Sequence, residues 1–205
     1  MIKAVIFDLG NVLINFDHRI AAKRIFEFTD KSPSEIYNLF FDSGITAMFE
    51  EGRISAEDFF LKIKAMLNLK IDYQEFISIW NGIFFLTENN KEVYTIVKNL
   101  RNKYRIALLS NINVLHFDYL KKEFPVFDAF HCVITSFEVG ARKPHPLIYA
   151  ETLECLNVAS PAEAFYTDDR QELIEKAKEL GINSAVFRDA KQLRQDLEQA
   201  GVNIN

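Results

Sequence analysis

Ala4-Val5-Ile6-Phe7-Asp8-Leu9-Gly10-Asn11-Val12-Leu13 is the stretch whose reading decides the fold. Four apolar residues without alternation suit a strand buried on both faces of a sheet. The run ends in a carboxylate and turns at once through a glycine, which places Asp8 at the carboxyl edge of the strand. In an open parallel sheet, ligands bind at that edge. A lone Asp-x-Gly is more often a turn or a helix cap. Asp8 gains weight from the polar groups that recur after later strands.

Four further apolar runs read as strands: Arg105–Ser110, His131–Thr135, Ala164–Thr167 and Ser184–Phe187, with Lys3–Asp8 the first. Helical patterns separate them. Leu173, Ala177 and Leu180 share one helical face, as do Leu193, Leu197 and Ala200. Gly181 and Gly201 stand where C-terminal caps belong. Strands alternating with helices predict a doubly wound α/β domain with a parallel sheet.

Between Asp8 and Arg105 that rhythm breaks, and no second convincing strand is found. The segment from about Asp17 to Leu86 reads as several helices. Ser32-Pro33-Ser34-Glu35 is a capping box with proline at the first helical position. Ser55-Ala56-Glu57-Asp58 opens another helix, with Phe59, Ile63, Met66 and Leu67 on one face. Asp72 opens a third, carrying Phe76, Ile79, Trp80 and Ile83. The predicted organisation is an α/β core over 1–16 and 87–205, with an all-helical insert over 17–86.

Composition narrows the function. A chain of 205 residues, 49% of them hydrophobic, can bury a core and carry a substantial insert. The net charge of −5 lacks the basic face that a nucleic-acid partner requires. Cys132 and Cys155 are too few for a secreted disulfide scaffold, and Cys132 reads as a buried small hydrophobe. Asp8 interrupts the first apolar run, which is therefore not a signal peptide, and no segment has the apolar length of a membrane span. These features predict a cytoplasmic protein without a membrane partner, a monomer or homodimer. The nineteen phenylalanines point to core packing.

If the strands run parallel, their carboxyl ends gather Asp8, Ser110-Asn111, Lys143-Pro144 and Asp168-Asp169. Singly, these read as a helix cap, a helix start with a solvated lysine, and a loop with an N-cap acid. Together they suit phosphoryl transfer. Lys143 offers a point charge for phosphate oxygens. Ser110 and N–H groups at the following helix start can hold them. Two adjacent acids beside Asp8 repel one another unless a cation sits between them, and hard oxygen ligands select Mg²⁺. Asp8 is the candidate nucleophile, forming an aspartyl-phosphate.

With those motifs in order, the sequence resembles the haloacid dehalogenase superfamily across almost its whole length. Asp8-Leu9-Gly10-Asn11-Val12-Leu13 resembles the first motif, Ser110 the second, Lys143 the third and Asp168-Asp169 the fourth. The helical insert is similar to a C1-type cap. Phe7-Asp8-Leu9-Gly10-Asn11-Val12 is similar to the sugar-phosphatase-like branch that includes α-D-glucose-1-phosphate phosphatases. The resemblance implies a Rossmann-like core and a Mg²⁺-dependent phosphatase of a small phosphorylated metabolite, a sugar phosphate. It implies Asp8 as nucleophile and metal ligand, the Gly10 carbonyl and Asp169 as further ligands, and Asp168 as a ligand or as a partner that supports the ligands from behind. It implies Ser110, Asn111 and Lys143 as phosphate holders, with Lys143 also catalytic.

One departure stands out. Most phosphatases of the superfamily carry an acid–base aspartate two residues after the nucleophile, and here that residue is Gly10. Losing such a group costs about 10²–10⁴ in rate. Either the substrate has an easy leaving group, or Asp168, Asp17 or a cap residue moves the proton. A 2-haloacid dehalogenase, which needs neither metal nor acid at position 10, and a non-catalytic phospholigand- or protein-binding descendant are the alternatives. In the insert, Phe40, Phe41, Met48, Phe49 and Trp80 are candidates for the pocket wall, and Glu50-Glu51-Gly52-Arg53 for a loop facing the site. Arg142 reads as a neighbour of the phosphate or a surface residue. His18, His116, His131 and His145 receive no role.

Overall fold

The structure, a computed structural model, describes residues 1–41 and 44–204, with the side chains of 39–41 outside the described set; Phe40 and Phe41 therefore fall outside it. The described strands are β1 (Ala4–Phe7), β2 (Asn15–Phe16), β3 (Phe84–Phe85), β4 (Arg105–Ser110), β5 (Cys132–Thr135), β6 (Ala164–Asp168) and β7 (Asn183–Val186). The described α-helices are α1 (His18–Ile25), α2 (Pro33–Phe41), α3 (Gly44–Glu50), α4 (Ala56–Leu67), α5 (Tyr73–Asn81), α6 (Glu88–Leu100), α7 (Val114–Glu123), α8 (Ser136–Val139), α9 (Pro146–Leu156), α10 (Gln171–Glu179) and α11 (Ala190–Gln199). No helix among the described residues is long and apolar enough to cross a membrane.

The five long-range strands form one parallel sheet in the order β5-β4-β1-β6-β7. From the central β1 the chain winds outward on one side through β4 and β5. It then crosses back to β6 and β7 on the other. The sheet is therefore doubly wound, and the switch point where ligands bind in such folds lies at the end of β1.

Each strand feeds two buried faces by simple alternation. Val5 and Phe7 of β1, with Ile106 and Leu108 of β4, pack into a cluster with Val93 and Val97 of α6 and Leu193 and Leu197 of α11. Ala4 and Ile6, with Ala107 and Leu109, face the opposite cluster, closed by Ile148 and Tyr149 of α9 and by Ile174 and Ala177 of α10. This double burial is why the strand sequences lack polar alternation. Cys132 is buried as expected, but it is bonded to Cys155, which ties β5 to α9.

Helices α1–α5 bury a separate apolar cluster built on Ile25, Ile36, Phe49, Phe59, Ile63, Phe76 and Trp80. Their boundaries follow the capping signals. Glu35 accepts from the Ser32 backbone N–H at 2.9 Å and donates its own N–H to the Ser32 hydroxyl at 3.3 Å, closing the box. Ser55 and Asp72 cap α4 and α5. Met66, expected on the buried face of α4, is 38% exposed; Phe59, Ile63 and Leu67 suffice to fill that stripe. A two-residue antiparallel ribbon, Asn15–Phe16 on Phe84–Phe85, not expected from the sequence, stands where the chain enters and leaves the helical cluster. Strands that short carry no periodic signal.

Candidate active site

The four strand-end motifs converge at the carboxyl edge of β1, β4 and β6, on the floor of a cavity of about 600 Å³ between the sheet edge and the helical cluster. Asp8 extends β1, its N–H donating to the Thr167 carbonyl of β6 at 3.0 Å. The chain then turns tightly: Asn11 adopts φ +57°, and the N–H groups of Leu13 and Ile14 return to the Leu9 carbonyl. Asparagine tolerates that left-handed angle because its short polar side chain finds a local partner. Here the Asn11 side-chain amide donates to Asp169 at 2.8 Å.

Lys143 is the centre of the charge pattern. Its ammonium donates to Asp8 at 2.7 Å, to Asp168 at 2.7 Å, to the Leu109 carbonyl at 3.1 Å and to the Tyr166 hydroxyl at 3.2 Å. The lysine expected to be solvated if it merely started a helix is instead buried. Helix α9 begins later, with Pro146 at its first turn and His145 as its cap. Burial disfavours the cation, but Asp8 and Asp168 outweigh it and hold Lys143 above the usual lysine range. Burial likewise pushes Asp168 up, yet Lys143, the Tyr166 hydroxyl and the Arg170 amide together keep it below the usual carboxylate range. Burial pushes Asp8 up to about 7, against the pull of Lys143. Asp169 is raised for the same reason, opposed by its bond from Asn11.

Asp8, Asp168 and Asp169 each offer an oxygen within 4.8 Å of the others. Three carboxylates facing one ammonium leave two negative charges uncompensated within the cluster. A hard divalent cation matches that deficit in both charge and ligand type. Asp168 is the least available of the three. One oxygen accepts from Lys143 and from the Tyr166 hydroxyl, and the other from the Arg170 N–H at 2.9 Å.

Ser110 ends β4 and lines the cavity. Asn111 lines it too, but its side chain holds the Lys143 backbone: its amide donates to the Lys143 carbonyl at 3.0 Å and its oxygen accepts the Lys143 N–H at 2.7 Å. Neither Ser110 nor Asn111 caps the next helix; Asn113 does, with its side chain accepting the His116 N–H. The Ile112 N–H donates to the Ser136 hydroxyl at 3.0 Å. Asp169 is not a helix cap either, since α10 starts after Arg170.

The helical cluster supplies the upper wall. Glu50 pairs with Arg142 at 2.8 Å, and the Glu50 carbonyl accepts from Ser136 at 2.6 Å. Gly52 follows at φ +65°, and a Cβ there would stand 2.3 Å from the Phe137 carbonyl oxygen, so only glycine permits this approach. Trp80 lines the cavity, whereas Phe49 stacks on Phe59 inside the cluster and Met48 is absent from the described wall. His116 is buried and held neutral by that burial, at about 3. It bridges the two parts: its ring stacks on Trp80, and one ring nitrogen lies 3.1 Å from the Trp80 carbonyl. The sequence reading missed Tyr166, Phe16 and His18. Tyr166 had a signal, a hydroxyl inside an apolar strand on the same face as Asp168.

A family model of haloacid dehalogenase-like hydrolases matches residues 2–181. The chain is 27% identical over 203 residues to a D-ribitol-5-phosphate phosphatase of Bacteroides thetaiotaomicron, covering 96% of this chain and 97% of that one. A haloacid dehalogenase-family enzyme of the same organism, solved with magnesium and inorganic phosphate, superposes with a TM-score of 0.80 at 29% identity, over 92% of this chain and 95% of that one. The L-2-haloacid dehalogenase of Xanthobacter autotrophicus shares the fold at a TM-score of 0.64 and 21% identity, over 99% of this chain and 85% of that one. The chain belongs to the haloacid dehalogenase-like hydrolases.

Proposed function

We propose that this haloacid dehalogenase-like hydrolase is a Mg²⁺-dependent phosphatase of a small phosphate monoester, a sugar phosphate, working through an aspartyl-phosphate on Asp8. The observation that carries the reading is the cluster itself: two buried acids, Asp8 and Asp168, share the Lys143 ammonium beside a third, half-buried acid, Asp169, at the floor of a cavity sized for a small metabolite. A solved relative with magnesium and phosphate supports it.

In this reading Asp8, the Gly10 carbonyl and Asp169 hold the metal, with Asp168 completing the cluster from behind by anchoring Lys143. Bound Mg²⁺ supplies the positive charge that lets a carboxylate approach an anionic phosphate. Asp8 attacks phosphorus, the ester oxygen departs, and water then releases phosphate from Asp8. Lys143 and the Ser110 hydroxyl hold phosphate oxygens, and Asn111 fixes the Lys143 backbone. Residues 17–86 act as a cap whose Glu50 and Trp80 face the organic part of the ester.

The test is phosphate release from a panel of sugar 1- and 6-phosphates and acyl phosphates, with Mg²⁺, with a chelator, and with Asp8→Asn. Release that needs both Mg²⁺ and Asp8 is expected. A preference for 1-phosphates would fit a leaving group that departs without an acid at Gly10; a clear preference for 6-phosphates refutes that part. Chloropropionate turnover that survives the chelator would move the chain to the dehalogenases.

A further inference from the structure

We propose that Asn11 is a positioning residue that fixes Asp169 for a small divalent cation and so sets the preference of the site for Mg²⁺ over Ca²⁺. The proposal rests on the metal-site part of the reading above. Its starting point is an inequality among the three acids. The Lys143 ammonium binds Asp8 at 2.7 Å and Asp168 at 2.7 Å. Asp169 has an oxygen within 4.8 Å of oxygens of the other two, and it is the Asn11 side-chain amide that holds it, at 2.8 Å. The partners stand 158 positions apart, so this one bond joins the turn after β1 to the loop after β6.

The chemistry of that donor matters. A lysine or arginine at position 11 would also hold the carboxylate, but its charge would meet the deficit that draws in a divalent cation. An amide donates without charge. It orients Asp169 and leaves the negative excess of the cluster intact. It also occupies Oδ2 through a single bond, and a carboxylate has acceptor capacity to spare for a cation.

The backbone gives this amide a fixed base. Asn11 sits at φ +57°, its N–H donates to the Ile14 carbonyl at 2.9 Å, and the N–H groups of Leu13 and Ile14 close on the Leu9 carbonyl. The peptide that enters Asn11 carries the Gly10 carbonyl, itself a ligand in the reading above. One residue therefore ties together the placement of two ligands. Mg²⁺ demands near-ideal octahedral geometry with short bonds, whereas Ca²⁺ accepts irregular shells at longer distances. Ligands held in place before the cation arrives favour the stricter ion. A carboxylate free to swing removes that advantage.

The experiment measures how the melting temperature of the full-length, metal-stripped protein rises with Mg²⁺ alone and with Ca²⁺ alone at fixed ionic strength, which reads each affinity by linkage. Asn11→Gly removes the amide, and glycine takes the left-handed angle without strain. Asn11→Ala removes the same amide and adds the strain. Mg²⁺ affinity is expected to fall about 10–100-fold in both, the range for losing a group that supports a metal ligand. Ca²⁺ affinity should fall much less, so the ratio of the two affinities drops. Without cation, only Asn11→Ala should melt markedly below wild type, which separates the amide from the turn. Mg²⁺ affinity lost in Asn11→Ala but kept in Asn11→Gly assigns the residue to the turn alone and overturns the proposal. Equal losses for the two cations overturn it as well, since a contact that acts by geometry must weigh on the stricter ion. A wild-type protein that binds neither cation overturns the metal site and the Asn11 assignment with it. Mg²⁺ binding that depends on Asn11, without phosphate release from any ester, overturns the phosphatase reading and upholds the assignment.

Discussion

Restoring an aspartate at position 10 should fail to restore an acid. Gly10 has no left-handed backbone angle, so the cost of substitution there is purely one of space. The 2.7 Å approach between a Cβ and the Phe16 ring is too close to persist. The ring cannot swing away freely. Residue 16 is paired with Phe84 in the ribbon, and its ring meets those of His18 at 4.8 Å and Phe84 at 6.3 Å. Forcing atoms into such a site costs about 1–3 kcal/mol. For a chain of this length each kcal/mol lowers the melting temperature by about 2–4 °C, so a loss of about 2–12 °C is expected. Gly10→Ala isolates the steric part, and Gly10→Asp adds the charge. Each is paired with Phe16→Ala in a double-mutant cycle, where the clash appears as a coupling energy of about 1–3 kcal/mol. Turnover of a sugar 6-phosphate, whose leaving oxygen needs a proton, should stay flat in Gly10→Asp and rise only when Phe16 is also truncated. The reasoning is refuted if Gly10→Asp alone keeps full stability and accelerates the 6-phosphate.

Two further outcomes test the charge pattern. Tyr166→Phe removes a hydroxyl that donates to Asp168 and accepts from Lys143; bonds to charged groups are worth about 1.5–3 kcal/mol, and chemical denaturation should show a loss of that order with Mg²⁺-dependent turnover reduced. An unchanged midpoint would mean that the hydroxyl is a bystander. Arg142→Met strips Glu50 of its cation, at a cost of about 1–3 kcal/mol at pH 7. Burial already raises Glu50 against the pull of Arg142, and the variant raises it further. A carboxyl raised in the folded state favours protonated folding, so stability falls as pH rises past its unfolded value. The deficit against wild type should therefore be small near pH 4 and grow toward pH 7; a deficit independent of pH would exclude Glu50 as its source.

The core was legible because its signals are local. Strands buried on both faces must be apolar throughout, and the groups that follow them must be polar to serve an edge. Hence β1, β4, β5, β6 and β7 fall within a residue or two of the runs read from the sequence. The cap helices announced their starts through Ser32, Ser55 and Asp72, whose side chains bond three residues ahead. What stayed hidden depends on pairing at a distance. The bonds of Asn111 to Lys143, of Tyr166 to Asp168 and Lys143, and of Glu50 to Arg142 join residues whose types alone are compatible with many partners. The β2–β3 ribbon joins residues almost seventy positions apart through two pairs, too short for a pattern.

That ribbon explains why the position of the missing acid could not be resolved from sequence. Gly10 reads as a deletion of chemistry only while its neighbourhood is unknown. The ribbon fixes Phe16 beside Phe84 and so turns the Phe16 ring over Gly10. The next residue, Asp17, caps α1 and starts the helix at His18, which brings the imidazole onto the cavity wall against that same ring. Gly10, Phe16 and His18 thus form one steric unit. Glycine makes room for the phenylalanine, and the phenylalanine packs the histidine. Substituting any one of the three should alter the other two, and for that reason Gly10 should be tested together with Phe16 rather than alone.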